Sequence, residues 1–449
     1  MTALEHNPNM EAALEFASDH LGDAGGSEIR SCLAQSILSG RPVRLGRIFS
    51  DCGWGELARP ADLLERAVEE RDRDRRAAIL DRVIDAVLSS VRERISDFSE
   101  SIKLPSLTVF GLGVLVPLVL VLLLPTISLL GGGLALAQLA LIYCVLLPAA
   151  VFIVTERMTG KRPDFIGPPA VRVGRPSPVV LIPFTAAATI LIVPGGGETA
   201  ILVSLWLSVL GVSLALLTVG FRPFRLRMEI DRIEEEFPDF MLEVGNRLSD
   251  GKPLERAIVE YGRDRETPLG RIAREIAAEV SGGCGLKSPV DRVCQKSMTV
   301  ASGIRLLLAS AERGGESAGR TVVRISEHLR KIFELRREMR RAFADLLSTM
   351  RALAVLFSPV LMAFTARMYE VIHGRGILLS TFSHVHLTAV MAVYTVILAA
   401  LLVDYGVRLE HGKDAPVRCV NVAVAMPTAL AVFTISWLAG GAVFSILIG

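Results

Sequence analysis

Residues 107–130 read LTVFGLGVLVPLVLVLLLPTISLL, an unbroken run with no Asp, Glu, Lys, Arg or His. At a rise of about 1.5 Å per residue, a helix of this length crosses the roughly 30 Å hydrocarbon core of a bilayer. Working outward, six further apolar runs occupy 134–154, 178–194, 201–219, 352–372, 386–404 and 419–446. The 449 residues are 51% hydrophobic and only 21% charged, with a mean hydropathy of +0.46. That apolar excess does not fit inside one ordinary soluble core. The expected fold is all-α: a polytopic membrane protein with about seven transmembrane helices and two cytoplasmic helical-bundle domains. The divisions are an N-terminal cytoplasmic helical domain at 1–104, a four-helix membrane region at 105–220, a second cytoplasmic domain at 221–351, and a three-helix membrane region at 352–449.

Charge placement sets the expected orientation, because Lys and Arg gather beside the cytoplasmic ends of spans. Residues 1–104 are polar and carry no apolar leader, so the N-terminus is expected in the cytoplasm. The 155–177 linker holds Arg157, Lys161, Arg162, Arg172 and Arg175, whereas Gly131–Gly133 and Pro194–Glu198 hold no basic residue. Arg222, Arg225 and Arg227 follow the fourth run, and Arg336, Arg337, Arg340, Arg341 and Arg351 precede the fifth. The run at 178–194 is short and bracketed by prolines, yet parity requires it: without it the basic block 221–351 falls outside. The C-terminus is then expected outside a plasma membrane. A net charge of +2, from 49 basic and 47 acidic residues, gives no bulk attraction for nucleic acid. Six cysteines stand apart with no CxxC pair, so neither a zinc site nor a disulfide framework is indicated. No cofactor is expected.

The block 221–351 reads as helices. Ile230, Ile233, Phe237, Met241, Val244 and Leu248 recur at spacings of three and four, so one helix face is buried. Gly251 suits a C-terminal cap and Pro253 the first turn of the next helix. Thr267–Pro268 and Ser288–Pro289 repeat the start signal, a capping hydroxyl followed by a proline. Val322, Ile325, Leu329, Ile332, Leu335, Met339, Phe343 and Leu346 then carry helical spacing into the fifth run without Gly or Pro, as a lever would. Residues 62–100 echo this pattern toward the first run, with Pro105 expected to break the junction. The prolines within apolar runs (Pro117, Pro125, Pro148, Pro183, Pro359 and Pro427) are candidate kink sites, Pro359 being a candidate hinge.

The stretch Glu235-Glu236-Phe237-Pro238-Asp239-Phe240-Met241-Leu242, with Leu248-Ser249-Asp250-Gly251-Lys252-Pro253-Leu254-Glu255-Arg256-Ala257-Ile258, resembles the opening of the cytoplasmic domain of type II secretion system F proteins. Gly314-Gly315-Glu316-Ser317-Ala318-Gly319 is similar to that family's turn before its long final helix. The resemblance spans 229–370, and residues 1–130 only as a degenerate first copy. Seven apparent spans place the chain nearer the archaeal or tight-adherence branch than the three-span pilus branch. The resemblance implies an inner-membrane assembly platform of a type IV pilus, archaellum or type II secretion machine, and no enzyme. Its implied partners are a hexameric cytoplasmic ATPase, pilin-like subunits, membrane lipid and a second copy of the chain in a homodimer.

Other chemistries fit the sequence less well. Gly282-Gly283-Cys284-Gly285-Leu286-Lys287-Ser288 approaches a phosphate loop, but Leu286 separates glycine from lysine and no strand precedes it. Ser326-Glu327-His328-Leu329-Arg330 is similar to a histidine-kinase phosphoacceptor without the ATP-binding glycine boxes, which leaves His328 as a solvated helix residue. A transporter or permease needs ionisable groups at mid-membrane. The first four runs have none, and Arg367, Glu370 and Asp404 lie near span ends. A membrane-anchored regulatory scaffold stays open. The basic residues Arg330, Lys331, Arg336, Arg337, Arg340 and Arg341 have two readings, topology with anionic lipid contact or docking on the ATPase. Under the second, Glu316, Arg330, Lys331 and Arg337 are the partner-binding residues.

Overall fold

Every regular element among the described residues is helical. The computed structural model describes residues 9–20, 57–129, 135–160, 198–263, 265–281, 316–374, 384–412 and 414–448, with isolated positions at 4, 30–31, 33–34, 45–46, 162, 297, 300, 303–304, 306–308 and 310. The expected third run, 178–194, and the turn at Ser288–Pro289 lie outside them. In chain order the helices are α1 (Met10–His20), α2 (Ala58–Glu69), α3 (Arg73–Phe110), α4 (Val116–Leu129), α5 (Leu136–Leu141) and α6 (Leu147–Thr159). There follow α7 (Glu198–Ser249), α8 (Leu254–Gly262), α9 (Pro268–Ser281), α10 (Glu316–Ala352), α11 (Ser358–Gly374), α12 (His384–His411) and α13 (Ala415–Ile448). Single π-helical turns join α3 to α4, α5 to α6 and α10 to α11.

The chain forms two compact units, each from two separate stretches: a polar unit, 1–96 with 229–339, and a membrane unit, 97–228 with 340–449. Among the described residues six helices are long and apolar enough to cross a membrane. They coincide with the first, second, fourth, fifth, sixth and seventh apolar runs, and the protein is a multi-pass membrane protein. Every exposed large hydrophobic side chain among the described residues belongs to the membrane unit, from Leu104 and Leu107 through Leu207, Leu214 and Phe357 to Ile435 and Leu438. Such a surface is costly in water and suited to lipid. Its centre is α12, whose most apolar stretch is 61% buried against 28–39% for the other five helices. Leu387, Met391, Tyr394, Leu398 and Leu402 of α12 meet Val114, Val121, Tyr143, Val151, Met362 and Phe433 in one core.

Contacts inside the membrane unit gather five stretches of chain at one end. Ser106 and Tyr405 hydroxyls lie 3.3 Å apart, and the same Tyr405 donates to Met158 Sδ at 3.4 Å. Arg408 bonds Glu156, and Arg227 meets Asp414 at 3.0 Å with both side chains buried. Gly220 sits so close to α13 that a Cβ there would lie 2.9 Å from Cys419 Cβ. The start of the first span and the ends of the second, fourth and sixth therefore share this end. From Gly220 the straight run of α7 back to Ala200 covers about 30 Å, with Leu205 and Val209 in the core. Thr159 and Ala200 thus stand at opposite ends of the unit.

The sequence expectation at Pro105 is corrected. Pro105 does not break the first junction: α3 runs from Arg73 to Phe110 with Pro105 inside it. A proline removes one N–H bond but leaves the flanking ones, and a helix held on both sides survives that loss. The fourth run and the helix at 230–248 are one helix, α7, continuous through Pro223 and Pro238. The cap at its end is as expected: Gly251 has φ +80°, its N–H bonds Leu248 O at 3.0 Å, and Lys252 N–H bonds Arg247 O at 3.0 Å. That is a Schellman motif. Pro253 stands one position earlier than expected, as the N-cap of α8. Thr267 caps α9 by accepting the Gly270 N–H at 3.1 Å, with Pro268 as the first helical residue.

Candidate interaction surface on the polar unit

In its first turn α10 meets α7 backbone to backbone. A Cβ on Gly319 would lie 2.2 Å from Ser249 N and 2.7 Å from Gly245 O, and one on Gly245 would lie 3.0 Å from Val322 and Val323. Only glycine permits that approach, which gives the Gly- and Ala-rich start of α10 a packing reason. Behind it, Phe237, Phe240, Met241, Val244, Tyr261, Leu269 and Val322 form the core of the polar unit. Phe240 meets Tyr261 edge-on at 4.8 Å.

Three consecutive glutamates on α7 each take a different partner. Glu234, buried, accepts from Ser297 Oγ at 2.7 Å and from Arg336 at 2.9 Å. Glu235, exposed, faces Arg337 at 3.9 Å. Glu236 accepts from Tyr261 at 2.8 Å and Thr267 at 2.5 Å, tying α7 to α8 and to the cap of α9. Burial together with this carboxylate raises the Tyr261 phenol above its ordinary value. Nearby, the hydrogen bond from Lys252 holds the Glu260 carboxyl below the usual carboxylate range.

A charged seam joins α3 to α10. Lys331 bonds Asp85 at 2.7 Å, and Arg92 bonds Glu338 through both carboxylate oxygens at 2.8 and 3.2 Å. His328 and Arg324 both face Asp81, at 3.3 and 3.9 Å. The Lys331–Asp85 and Arg92–Glu338 pairs have the same sequence separation, 246, so the two helices run parallel and in register. The signal was present in the sequence: Asp85 and Arg92 stand seven apart, as do Lys331 and Glu338, with signs reversed.

The sequence-derived site residues fall in different settings. Glu316 is the first residue of α10, and its side chain lies outside the described residues. Lys331 is held in the seam, its ammonium pushed up chiefly by the Asp85 hydrogen bond. Arg337 reaches Glu235 across two exposed side chains. Among the described residues Arg330 meets only Glu334 of its own helix, at 3.8 Å, with both side chains more than 60% exposed. Pro359 belongs to the membrane unit, buried in the first turn of α11. The solvated reading of His328 is corrected: its side chain is 21% exposed and faces Asp81. The glycine-rich segment 282–288 lies outside the described residues. Sequence reasoning missed Asp81, Asp85, Arg92, Glu234 and Glu338. The surface can hold a partner by charge, and its buried members fix the helices that present it. No family model matches the chain, and no similar curated protein or solved structure was found.

Proposed function

We propose that the chain is the assembly platform of a type IV pilus-like, archaellum or type II secretion machine. On this reading it sits in the plasma membrane with the N-terminus inside and the C-terminus outside, works as a homodimer, and couples a hexameric cytoplasmic ATPase to pilin-like subunits. The supporting observation is the parallel pairing of α3 and α10 in the polar unit, each helix running on without a break into an apolar span. Movement imposed on such a pair is passed by helix continuity to two spans. Glu236 and Gly319, which belong to the stretches that resemble secretion system F proteins, also tie α7 to α8 and seat α10 against α7.

The transporter alternative draws no support from the buried and half-buried charges Arg227, Arg367, Asp404, Arg408, Asp414 and Arg418 of the membrane unit, each of which meets an opposite charge. Arg367 bonds Glu370, Asp404 meets Arg408 and Arg418 at 2.7 and 2.6 Å, and Arg227 meets Asp414. The test is deletion of the gene in its host. A platform is required for surface filaments or secreted pseudopilus substrates, and re-expression restores them. Unaltered filaments together with altered solute uptake would replace the platform with a permease.

A further inference from the structure

Three spans carry the same local device. The π-turns Gly111–Leu115, Ile142–Leu146 and Leu353–Phe357 each end two residues before a proline: Pro117, Pro148 and Pro359. In each, the residue ahead of the proline donates to the carbonyl five back: Val116 to Gly111, Leu147 to Ile142, and Ser358 to Leu353. A proline ring clashes with the carbonyl four residues earlier and offers it no N–H, and one wider turn relieves the clash. The first and third turns lie at matching junctions, where α3 and α10 pass into their spans. They start 242 residues apart (111 to 353), and so do their prolines (117 to 359).

The two junctions are finished differently. At the first, Tyr394 donates to the Gly113 carbonyl, the one that Pro117 leaves without a donor. Tyr143 donates to the Pro117 carbonyl at 2.6 Å, and the two rings pack edge to face at 5.5 Å. Gly113 is also seated against α12, where a Cβ would lie 2.9 Å from Leu398 Cδ1. At the other junction, no side-chain donor among the described residues reaches a carbonyl of 353–357. Leu356 and Phe357 are more than half exposed. Ser358 is fully buried, and its Oγ meets no hydrogen-bond partner among the described residues. Just beyond, α11 is fastened. The Arg367 guanidinium lies 4.0 Å from the Trp437 ring centre, its Nε donates to the Trp437 carbonyl at 3.3 Å, and it fills the space left by Gly441, where a Cβ would lie 2.6 Å away.

We infer that the fifth span bends at the π-turn Leu353–Phe357, between a fastened α11 and the long α10, while the matching turn of the first span is locked by Tyr143 and Tyr394. The hinge is a property of the membrane unit and does not depend on what moves α10. Backbone amide exchange of the full chain in lipid nanodiscs tests it, since local opening is read as lost protection. Amides of 353–360 should exchange at least tenfold faster than those of 111–118. Pro359→Ala, which allows the α-helical bond to Val355, should slow 353–360 toward the rate of 111–118. The double variant Tyr143→Phe, Tyr394→Phe should speed 111–118 and leave 353–360 unchanged. Equal protection of the two turns in the unaltered protein would overturn the inference, as would a Pro359→Ala variant with unaltered exchange in 353–360.

Discussion

At the scale of single residues, what a charge does here depends on whether it is buried with a partner. Arg227 and Asp414 are 3% and 1% exposed, 3.0 Å apart. Removing one member of such a pair strands the other, typically at a cost of about 3–5 kcal/mol. Asp414→Ala should therefore lower the thermal midpoint of the detergent-solubilised protein sharply, and the double change Arg227→Met, Asp414→Leu should recover most of it. If Asp414→Ala matched the unaltered midpoint, the pair would hold nothing. Arg330 is the opposite case. Exposed pairs contribute about 0–1 kcal/mol, so Arg330→Glu should leave stability within about 0.5 kcal/mol while weakening ATPase affinity and filament assembly. Lys331→Glu should also disturb the seam, because it places a second carboxylate beside Asp85. Normal filaments and ATPase affinity in Arg330→Glu would leave the basic cluster to topology and lipid. Sequence reading grouped Arg330 with Lys331 because both are basic neighbours on one helix; only the placement of α3 separates them. Arg227 and Asp414 were illegible for a related reason. A charge near a span end reads as a topology marker, and its inward rotation depends on helices far away in sequence.

At the scale of elements, legibility followed local chemistry. The Schellman cap at Gly251 and the Thr267–Pro268 start were readable because cap bonds involve residues a few positions apart. The union of the fourth apolar run with the helix at 230–248 was not, since Pro223 and three arginines mark a change of solvent, and a change of solvent does not end a helix. The π-turns are regular once the proline register is noticed, but their tyrosine lock joins Tyr394 to Gly113 across 281 residues. The meeting of α7 with α10 yields a prediction of its own. Gly319→Val would drive side-chain carbons into the Ser249 backbone, and overpacking of this kind costs about 1–3 kcal/mol or more. Cooperative unfolding of the polar unit in urea should shift accordingly. Gly374→Ala, with no described residue within 4 Å of the added carbon, should be nearly neutral. A neutral Gly319→Val would mean that the two helices stand farther apart than described.

At the scale of the whole molecule, composition and run length were enough for an all-α, multi-pass protein, because burial of apolar runs in lipid is a statement about each run by itself. Joining the polar stretches 1–96 and 229–339 into one unit was beyond that reading, since it rests on pairs such as Lys331 with Asp85. The described contacts set Thr159 and Ala200 at opposite ends of the membrane unit. The proposed topology puts both polar stretches on one side of the membrane and the C-terminal end of α13 on the other. Single-cysteine variants at Asp85, Arg157, Arg330 and Gly449, in a chain stripped of its native cysteines, test this directly in intact cells with a membrane-impermeant thiol reagent. Positions 85, 157 and 330 should label only after the cells are opened, and position 449 should label from outside. Labelling of Asp85→Cys or Arg330→Cys in intact cells would contradict the topology, and with it the proposal that a cytoplasmic ATPase acts on the polar unit.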